Sequence, residues 1–315
     1  IGFIVTANTE AQTLPGATEG LSLYGLVGTV TVKAKQWQRL VLQPRFLSEK
    51  FEAVLDLELF LDDRGGFQNR GWDFSSGRKS LESLLRKIHY VRSRKNKNDD
   101  RGFSLKVGDL EDITLGRGAI MWRYRNTLEA PGVKKTGVDL RVGGLSGGST
   151  TFRVLINNLL DLDRGGAVIG GRAAFQPAGP FEYGTTFAID TDQLRGIPDS
   201  LRRGAGRDPY GAFGFDMAYP LQGRLSTRLT LYGGVLKTVA ARGGGSGLHG
   251  PGVEVAFKGG KARAEYRWVR GQLSPTHFDA LYELDRARVE PETGNLLTKE
   301  ATLNEAPSKG LFGDL

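Results

Sequence analysis

The side chains that could perform nucleophilic or acid–base chemistry are few and far apart in this sequence. The chain has no Cys and only three His, at positions 89, 249 and 277, which excludes thiolate chemistry and argues against a His-based metal cluster. A hydrolase would need a His beside an activated hydroxyl, and the candidates are His89 and the pair His277 and Asp279. No sequence context places a Ser beside either His, so we do not expect an enzyme.

Two short segments have the spacing of known ligand-binding motifs. Residues 245–250 match G-x-G-x-x-G, but they neither follow a parallel strand nor open a helix, so we predict a flexible loop rather than a dinucleotide site. Asp190, Asp192 and Asp199 surround turn residues in a way that suits Ca²⁺, which prefers oxygen ligands. An Asx-rich surface turn explains the same three residues. No cofactor other than Ca²⁺ at this loop is therefore expected.

Charged side chains recur at alternate positions of short segments. Residues 151–190 contain three such segments, separated by turns rich in Asp, Gly and Pro. Because successive side chains of a strand point to opposite faces, each segment has one apolar and one polar face, as expected for consecutive antiparallel strands. The mid-strand charges predicted to share the polar face are Asp56, Glu58, Asp139, Arg141, Arg153, Arg172, Glu182, Asp216, Arg228, Arg263, Glu265 and Arg267.

The same alternation extends over most of the chain and indicates an all-β protein. We expect an extended N-terminal arm over residues 1–22 and roughly 12–16 antiparallel strands over residues 23–285. Residues 286–315 are predicted to form either a polar tail or the start of an incomplete closing strand.

Three segments carry more detailed predictions. Residues 51–61 have the clearest alternation and are predicted to form one uninterrupted strand. Residues 80–88 space their leucines for one short helix, although a strand that enters at Leu85 fits equally well. A last alternation of apolar and polar side chains over residues 277–285 predicts a further strand.

Alternation alone fits a soluble sheet with one buried face as well as a membrane barrel. The density of charges of both signs at mid-strand favours the barrel, whose lumen face is polar and whose outer face is apolar. Small residues on the apolar faces, such as Gly171 and Ala262, are poorly suited to a close-packed core, whereas Tyr219 and Trp268 suit an interfacial girdle. We therefore predict an antiparallel meander closed as a transmembrane β-barrel.

The balance of charge limits the classes of partner. The chain has 43 basic and 35 acidic residues, a formal net charge of +8. Such an excess indicates solubility or contact with an anionic surface, and no basic run interleaved with aromatic residues supports binding to nucleic acid. Because acidic residues are at least as frequent as basic ones on the polar faces, the net charge does not predict anion selectivity.

The alternating pattern over roughly residues 23–285 resembles that of Gram-negative outer-membrane β-barrel proteins. One stretch within it has a more particular resemblance. KIHYVRSR, a hairpin and FSLKVGDLEDITLGRGAIMWRYRNT, within residues 87–127, resemble porin-like, poorly characterised envelope proteins of the Gram-negative outer membrane. The resemblance implies an outer-membrane location, lipid and lipopolysaccharide as surroundings, and a homo-oligomer or envelope protein partners. The implied function is a porin-like channel or a structural subunit of an envelope assembly. The alternative is a soluble, secreted β-sheet binding or surface-layer protein.

Overall fold

The computed structural model describes residues 20–32, 35–62, 64–68, 71–93, 102–129, 133–145, 149–177, 179–202, 205–221, 228–240, 243–290, 292–303 and 305–314. These residues form two compact units. The first unit contains residues 1–99, 104–109 and 134–136, and the second contains the rest of the chain. Most of the predicted N-terminal arm, residues 1–19, lies outside the described residues. None of the described helices is long and apolar enough to cross a membrane.

The first unit is an antiparallel arrangement around one long strand, β2. Strand β2 pairs with β1 along one edge and with both β3 and β4 along the other, while β6 pairs with β3 and β7. The elements of this unit are β1 Gly20–Val32, β2 Lys35–Leu47, β3 Phe51–Leu55, β4 Leu57–Leu61, β5 Phe67–Gln68, α1 Gly77–Leu85 and β6 Ile88–Ser93. The unit also includes most of β7, which spans Gly102–Gly108.

The short helix predicted near residues 80–88 is present as α1. Its N-cap is Ser76, whose side chain accepts a hydrogen bond from the backbone amide of Lys79, as N-cap serines commonly do. The helix ends at Leu85 and β6 begins at Ile88. The predicted helix is therefore confirmed, and a strand follows it from Ile88 rather than from Leu85.

The predicted single strand over residues 51–61 is interrupted at Asp56, so that prediction is wrong in detail. The backbone N–H of Asp56 donates to the carbonyl of Lys87 at 2.7 Å. In the pairing of β3 with β6, Val54 pairs with Tyr90 and Leu55 pairs with Ile88. His89 of β6 is therefore the extra residue of a β-bulge. Side-chain alternation cannot reveal such a bulge, because the bulge lies in the partner strand.

The second unit is an antiparallel meander. Each strand from β8 to β15 pairs with the next along the chain, and β18 pairs with β15. This confirms the predicted all-β antiparallel meander, and its closure into a barrel stays a prediction. The main strands are β8 Gly137–Gly144, β9 Thr150–Ile156, β10 Val168–Phe175, β11 Glu182–Asp190, β12 Tyr210–Leu221, β13 Arg228–Ala240, β14 Gly245–Phe257, β15 Gly260–Gly271 and β18 Ser308–Asp314.

Short elements connect or accompany these strands. Strands β16 and β17 form a separate hairpin. The remaining elements are the 3₁₀ turn Leu159–Asp161, α2 Asp199–Arg202, α3 Tyr282–Asp285, β16 Ala287–Val289, β17 Leu296–Thr298 and the 3₁₀ turn Glu300–Thr302.

Two segments of the second unit differ from their sequence predictions. Residues 245–250, predicted to be a flexible loop, are the first half of β14. A Cβ atom on Gly247 would lie 2.7 Å from the backbone oxygen of Trp268, so its glycine permits a close approach of the neighbouring strand. Residues 277–285, predicted to be a strand, lead instead into α3.

Candidate functional site

The strands of the second unit carry their apolar side chains on the exposed face. In β12, Phe213, Phe215 and Met217 are 42%, 42% and 44% exposed, whereas Asp216 between them is 4% exposed. In β13, Val235 is likewise exposed. We call this the outer face, and the opposite face, which carries Asp139, Arg172, Asp216 and Glu265, the inner face. A soluble sheet has the reverse distribution, with its apolar face in the core and its polar face in water.

Most of the predicted mid-strand charges form ion pairs on the inner face. Arg153 in β9 donates to both carboxylate oxygens of Asp139 in β8, at 2.7 and 2.9 Å. Arg172 in β10 donates across β11 to Asp216 in β12, at 2.6 and 2.9 Å. Gly184 of β11 permits this reach, because a Cβ atom there would overlap the Arg172 guanidinium. Bidentate pairs of this kind stabilise charges away from bulk water.

The same pairing continues at the C-terminal end of the meander. Glu265 in β15 accepts hydrogen bonds from Arg267 at 2.6 Å and from the Tyr232 hydroxyl at 2.7 Å. Arg263 in β15 donates to Asp314 in β18 at 2.9 Å. The predicted residues of β15 therefore share the inner face with partners that the sequence did not identify.

Residues 110–126, which we call the first inner segment, lie between β7 and β8 along the chain and fold back so that their two ends meet. The carbonyl of Leu110 accepts a hydrogen bond from the amide of Asn126 at 3.1 Å, and Ile113 and Tyr124 exchange two backbone hydrogen bonds. Asn126 is held further by its side chain, which donates to the carbonyl of Asn157 at 2.7 Å. The segment is thus an excursion whose two ends are joined.

The first inner segment lies against the inner face. Arg153 in β9 donates to the carbonyl of Thr114 at 2.8 Å, and Arg263 in β15 donates to the carbonyl of Arg117. Arg117 in turn forms an ion pair with Glu254 in β14 at 3.0 Å. Charges that the sequence predicts for the inner face therefore also hold this segment in place.

A second inner segment, residues 272–303, packs on the first. The carbonyl of Phe278 accepts a hydrogen bond from the amide of Trp122 at 3.0 Å, and the amide of Phe278 donates one to the carbonyl of Ile120 at 3.2 Å. Together the two segments supply most of the buried apolar core of the second unit. The residues of this core with at most 1% exposed surface are Leu110, Leu115, Met121, Tyr124, Leu155, Val168, Ala188, Tyr210, Phe278 and Tyr282.

Five buried polar residues, which we call the anchor cluster, join the two inner segments to the end of β11. Arg286 lies 3.2 Å from Asp190 and 3.3 Å from Glu283. The Tyr282 hydroxyl donates to Asp190 at 2.8 Å, and the Tyr124 hydroxyl donates to Glu283. All five side chains are at most 4% exposed, so their charges and hydrogen bonds depend on one another.

Three members of the anchor cluster, Tyr124, Tyr282 and Arg286, keep fixed protonation states. Burial raises the pKa of Tyr124 and Tyr282 well above 10, and the carboxylates of Glu283 and Asp190 raise it further. Burial alone would lower the pKa of Arg286, but the same two carboxylates outweigh it, and the pKa is raised. Neutral phenols and a charged guanidinium are therefore retained at physiological pH.

No family model matches this sequence, and no curated protein matches it. Among solved structures, the OmpF porin of Salmonella typhi in complex with daunomycin aligns over 81% of each chain, with 11% identity and a TM-score of 0.34. The anion-selective porin from Comamonas acidovorans aligns over 82% of each chain, with 12% identity and a TM-score of 0.30. These similarities do not assign the chain to a family.

The first unit pairs its predicted charges as well. Arg39 in β2 donates to Glu58 in β4 at 2.9 Å. Asp56 accepts a hydrogen bond from Gln43 at 2.6 Å and lies beside the ammonium of Lys134. Glu52, which the sequence did not single out, is 1% exposed.

Two predicted arginines of the second unit differ from the rest. Arg141, whose side chain is 55% exposed, lies 3.4 Å from Asp139, and Arg228 is exposed at the start of β13. They are less closely integrated into the inner face than Arg153 or Arg172.

The loop predicted to hold Ca²⁺ places its three carboxylates in different surroundings. Asp190 belongs to the anchor cluster. Asp192 is 3.0 Å from Arg202, and Asp199 is exposed at the start of α2. Calcium binding here stays a prediction, and the arginines already paired with Asp190 and Asp192 disfavour it.

Sequence reasoning missed the residues of the anchor cluster other than Asp190. Tyr124 and Glu283 lie within the range predicted to form the barrel, and Arg286 lies in the predicted polar tail or incomplete closing strand. The i, i+3 spacing of Glu283 and Arg286 was the available signal, since such a pair is typical of one helical turn. The period-two alternation of the residues before this pair obscured the helical signal.

His277, considered above as a hydrolase candidate, lies in the second inner segment and is 1% exposed. Its ring lies 3.9 Å from the ring of Tyr210. Among the described residues, neither ring nitrogen has a hydrogen-bond partner. Burial, and then the ammonium of Lys299, lower the pKa of His277 well below 6.5, so the imidazole is neutral in the folded protein.

We expect this histidine to make the second unit less stable in mild acid. In the unfolded chain, the imidazole of His277 is protonated near its ordinary pKa of 6.5. In the folded chain, it stays neutral to a lower pH. The stability is therefore complete above pH 6.5 and falls as the pH drops below that value, by at most about 1.4 kcal/mol per pH unit. Thermal unfolding of wild type and His277→Phe at pH 7.5, 6.5 and 5.5 measures the difference. Equal pH dependence in the two proteins would contradict the prediction.

Proposed function

We propose that this chain is an outer-membrane β-barrel protein of the porin-like type. The observation that carries the proposal is the reversal of the two faces in the second unit, where Phe213, Phe215 and Met217 are exposed and Asp216 is buried. Membrane barrels have this distribution because lipid covers the apolar outer face and the polar face lines the lumen. Outer-membrane lipid and lipopolysaccharide would then be the immediate surroundings of the outer face.

We further propose that the chain forms a channel that the two inner segments narrow. The first inner segment reaches from Arg153 in β9 to Arg263 in β15, and a solute that follows the inner face would have to pass beside it. Charges of both signs are paired along this face, so we propose no preference for anions or cations.

Excision of the first inner segment tests the channel. Residues 111–125 can be replaced by two glycines, because the Leu110 carbonyl and the Asn126 amide are already 3.1 Å apart. We expect a larger single-channel conductance in planar bilayers, since the excision removes Arg117 and Met121 from the inner side of the sheet. Gel mobility in SDS with and without boiling, measured on both proteins, reports whether each is folded as a barrel.

The matched control replaces the four residues 237–240 at the end of β13 by glycines and leaves both inner segments intact. Its conductance should equal that of the wild type. If the excised protein shows the gel shift of a folded barrel but conducts no more than the control, the channel proposal is wrong. If no protein shows the shift and all are recovered without detergent, the membrane proposal itself is wrong.

One observation favours a second candidate, a structural subunit of an envelope assembly. The anchor cluster fixes both inner segments with buried ion pairs such as Arg286 to Asp190 at 3.2 Å, which is suited to a permanently filled interior. This candidate predicts a barrel without measurable conductance that is purified in mild detergent together with envelope proteins or further copies of itself.

A further inference from the structure

Three ligand-type side chains from distant parts of the first unit meet at one point. They are Asp56 between β3 and β4, His89 in β6 and Asp109 directly after β7. Backbone hydrogen bonds bring them together, since the amide of Asp56 donates to the carbonyl of Lys87 and the amide of Asp109 donates to the carbonyl of His89, both at 2.7 Å. The meeting point is therefore set by the strand pairing and not by the flexible side chains alone.

The β-bulge gives His89 its place in this group. His89 has no partner on β3, because it lies between Tyr90 and Ile88, which pair with successive residues of that strand. Bulges commonly redirect a side chain beside a functional site. The Nδ1 atom of His89 lies 2.9 Å from a carboxylate oxygen of Asp109 and 3.4 Å from one of Asp56. Within the described residues, Nδ1 nevertheless has no partner in hydrogen-bond geometry.

The distances suit an ion held by one nitrogen and two oxygen atoms. One ligand atom from each residue lies within 4.8 Å of the other two, and tetrahedral ligands about 2.0–2.2 Å from a common Zn²⁺ lie roughly 3.3–3.6 Å apart. A rotation of one carboxylate that moves its oxygen atom by roughly 1–1.5 Å closes the difference. The side chain of His89 is 34% exposed, so the group lies near the surface of the first unit, although the Nδ1 atom itself is buried.

The surroundings already hold a cation at this place. The ammonium of Lys134 contacts Asp56, and Gln43 donates to the other oxygen of that carboxylate at 2.6 Å. A hydrogen bond of this kind orients a metal ligand from outside the coordination sphere. A divalent ion would replace the ammonium of Lys134, which is attached to a long side chain and can move away.

We propose that Asp56, His89 and Asp109 bind a divalent first-row metal ion such as Zn²⁺. Imidazole combined with two carboxylates suits Zn²⁺, Co²⁺ and Mn²⁺, and the absence of thiolates argues against Cu(I). The ion would join the β3–β4 junction, β6 and the residue after β7, and so stabilise the first unit. The site does not depend on the membrane proposal, because all of its residues lie within one compact unit.

Titration of the refolded full-length protein with Zn²⁺, after treatment with a chelator, tests the site. We expect one ion per chain by calorimetry, a higher thermal midpoint with Zn²⁺, and the visible spectrum of a nitrogen- and oxygen-ligated ion with Co²⁺. His89→Gln should weaken Zn²⁺ binding by on the order of 100-fold or more, since it removes the only nitrogen ligand. The Lys134→Met variant should bind Zn²⁺ roughly tenfold more tightly than the wild type, because the positive charge that competes with the ion is removed.

Asp112→Asn is the matched control. Asp112 has a side chain that is 64% exposed and lies 3.1 Å from Arg123, so its replacement should leave binding unchanged. Adventitious binding at surface carboxylates would give several ions per chain and equal affinities in wild type and His89→Gln, and this result would overturn the proposal. Absence of saturable binding in the wild type would overturn it as well, provided that the protein shows its normal thermal unfolding.

Discussion

We expect Arg286→Met to lower the free energy of unfolding of the second unit by about 3–5 kcal/mol. The side chain of Arg286 is 4% exposed and neutralises Asp190 at 3.2 Å and Glu283 at 3.3 Å. It also donates to the backbone carbonyls of Gly166 at 3.2 Å and Asp192 at 2.7 Å. Removal of the guanidinium leaves two buried carboxylates without their counter-charge, a larger penalty than the loss of the pair itself. Urea unfolding of the refolded protein measures the loss.

Arg288→Met is the control for this experiment. Arg288 is exposed two residues further along the chain, and its replacement should change the stability by no more than about 0.5 kcal/mol. Combining Arg286→Met with Asp190→Asn and Glu283→Gln should recover part of the loss, because no buried charge is then left unpaired. If Arg286→Met is no more destabilising than Arg288→Met, the anchor cluster does not hold the inner segments.

Period-two alternation predicted the strands of the second unit well. It placed Asp216 of β12 on a polar face opposite an apolar one, and in the structure Asp216 is buried while Phe213, Phe215 and Met217 are exposed. It could not say which face would be buried, because alternation looks the same in a soluble sheet and in a membrane strand. The small residues of the apolar faces and the density of mid-strand charges supplied that part of the prediction.

The partners of the inner-face charges were only partly predictable. Arg153 and Asp139 lie on adjacent strands, so their pairing follows from the meander. Arg172 reaches Asp216 across β11, which requires glycine at position 184 on the intervening strand. A contact between non-adjacent strands depends on three residues at once, and a pattern of alternating faces contains no information about it.

The inner segments were not predictable from period or composition. Their backbone is held by irregular hydrogen bonds, such as the amide of Trp122 to the carbonyl of Phe278, and they are neither regular strands nor long helices. Asp56, His89 and Asp109 likewise come together through a bulge and a strand break. Each of these features arises where the regular pairing of strands is interrupted, and sequence periodicity describes only the regular part.

The membrane proposal makes a prediction that depends on position along a strand. Phe215 lies near the middle of β12 and is 42% exposed, and Phe257 is the last residue of β14 and is 48% exposed. In a bilayer, Phe215→Arg places a charge near the apolar midplane, whereas Phe257→Arg places it near the interface. We expect losses of folding free energy of about 2–4 kcal/mol for Phe215→Arg and about 0–1 kcal/mol for Phe257→Arg.

Urea-dependent folding into phospholipid vesicles, followed by gel mobility without boiling, measures both substitutions. They introduce the same side chain at apolar positions of similar exposure, so a general effect of arginine on solubility or on strand propensity would act on both alike. Only a medium whose polarity changes with depth distinguishes the middle of a strand from its end. Equal losses at the two positions would therefore exclude lipid on the outer face and favour a soluble protein whose exposed aromatic residues contact a protein partner.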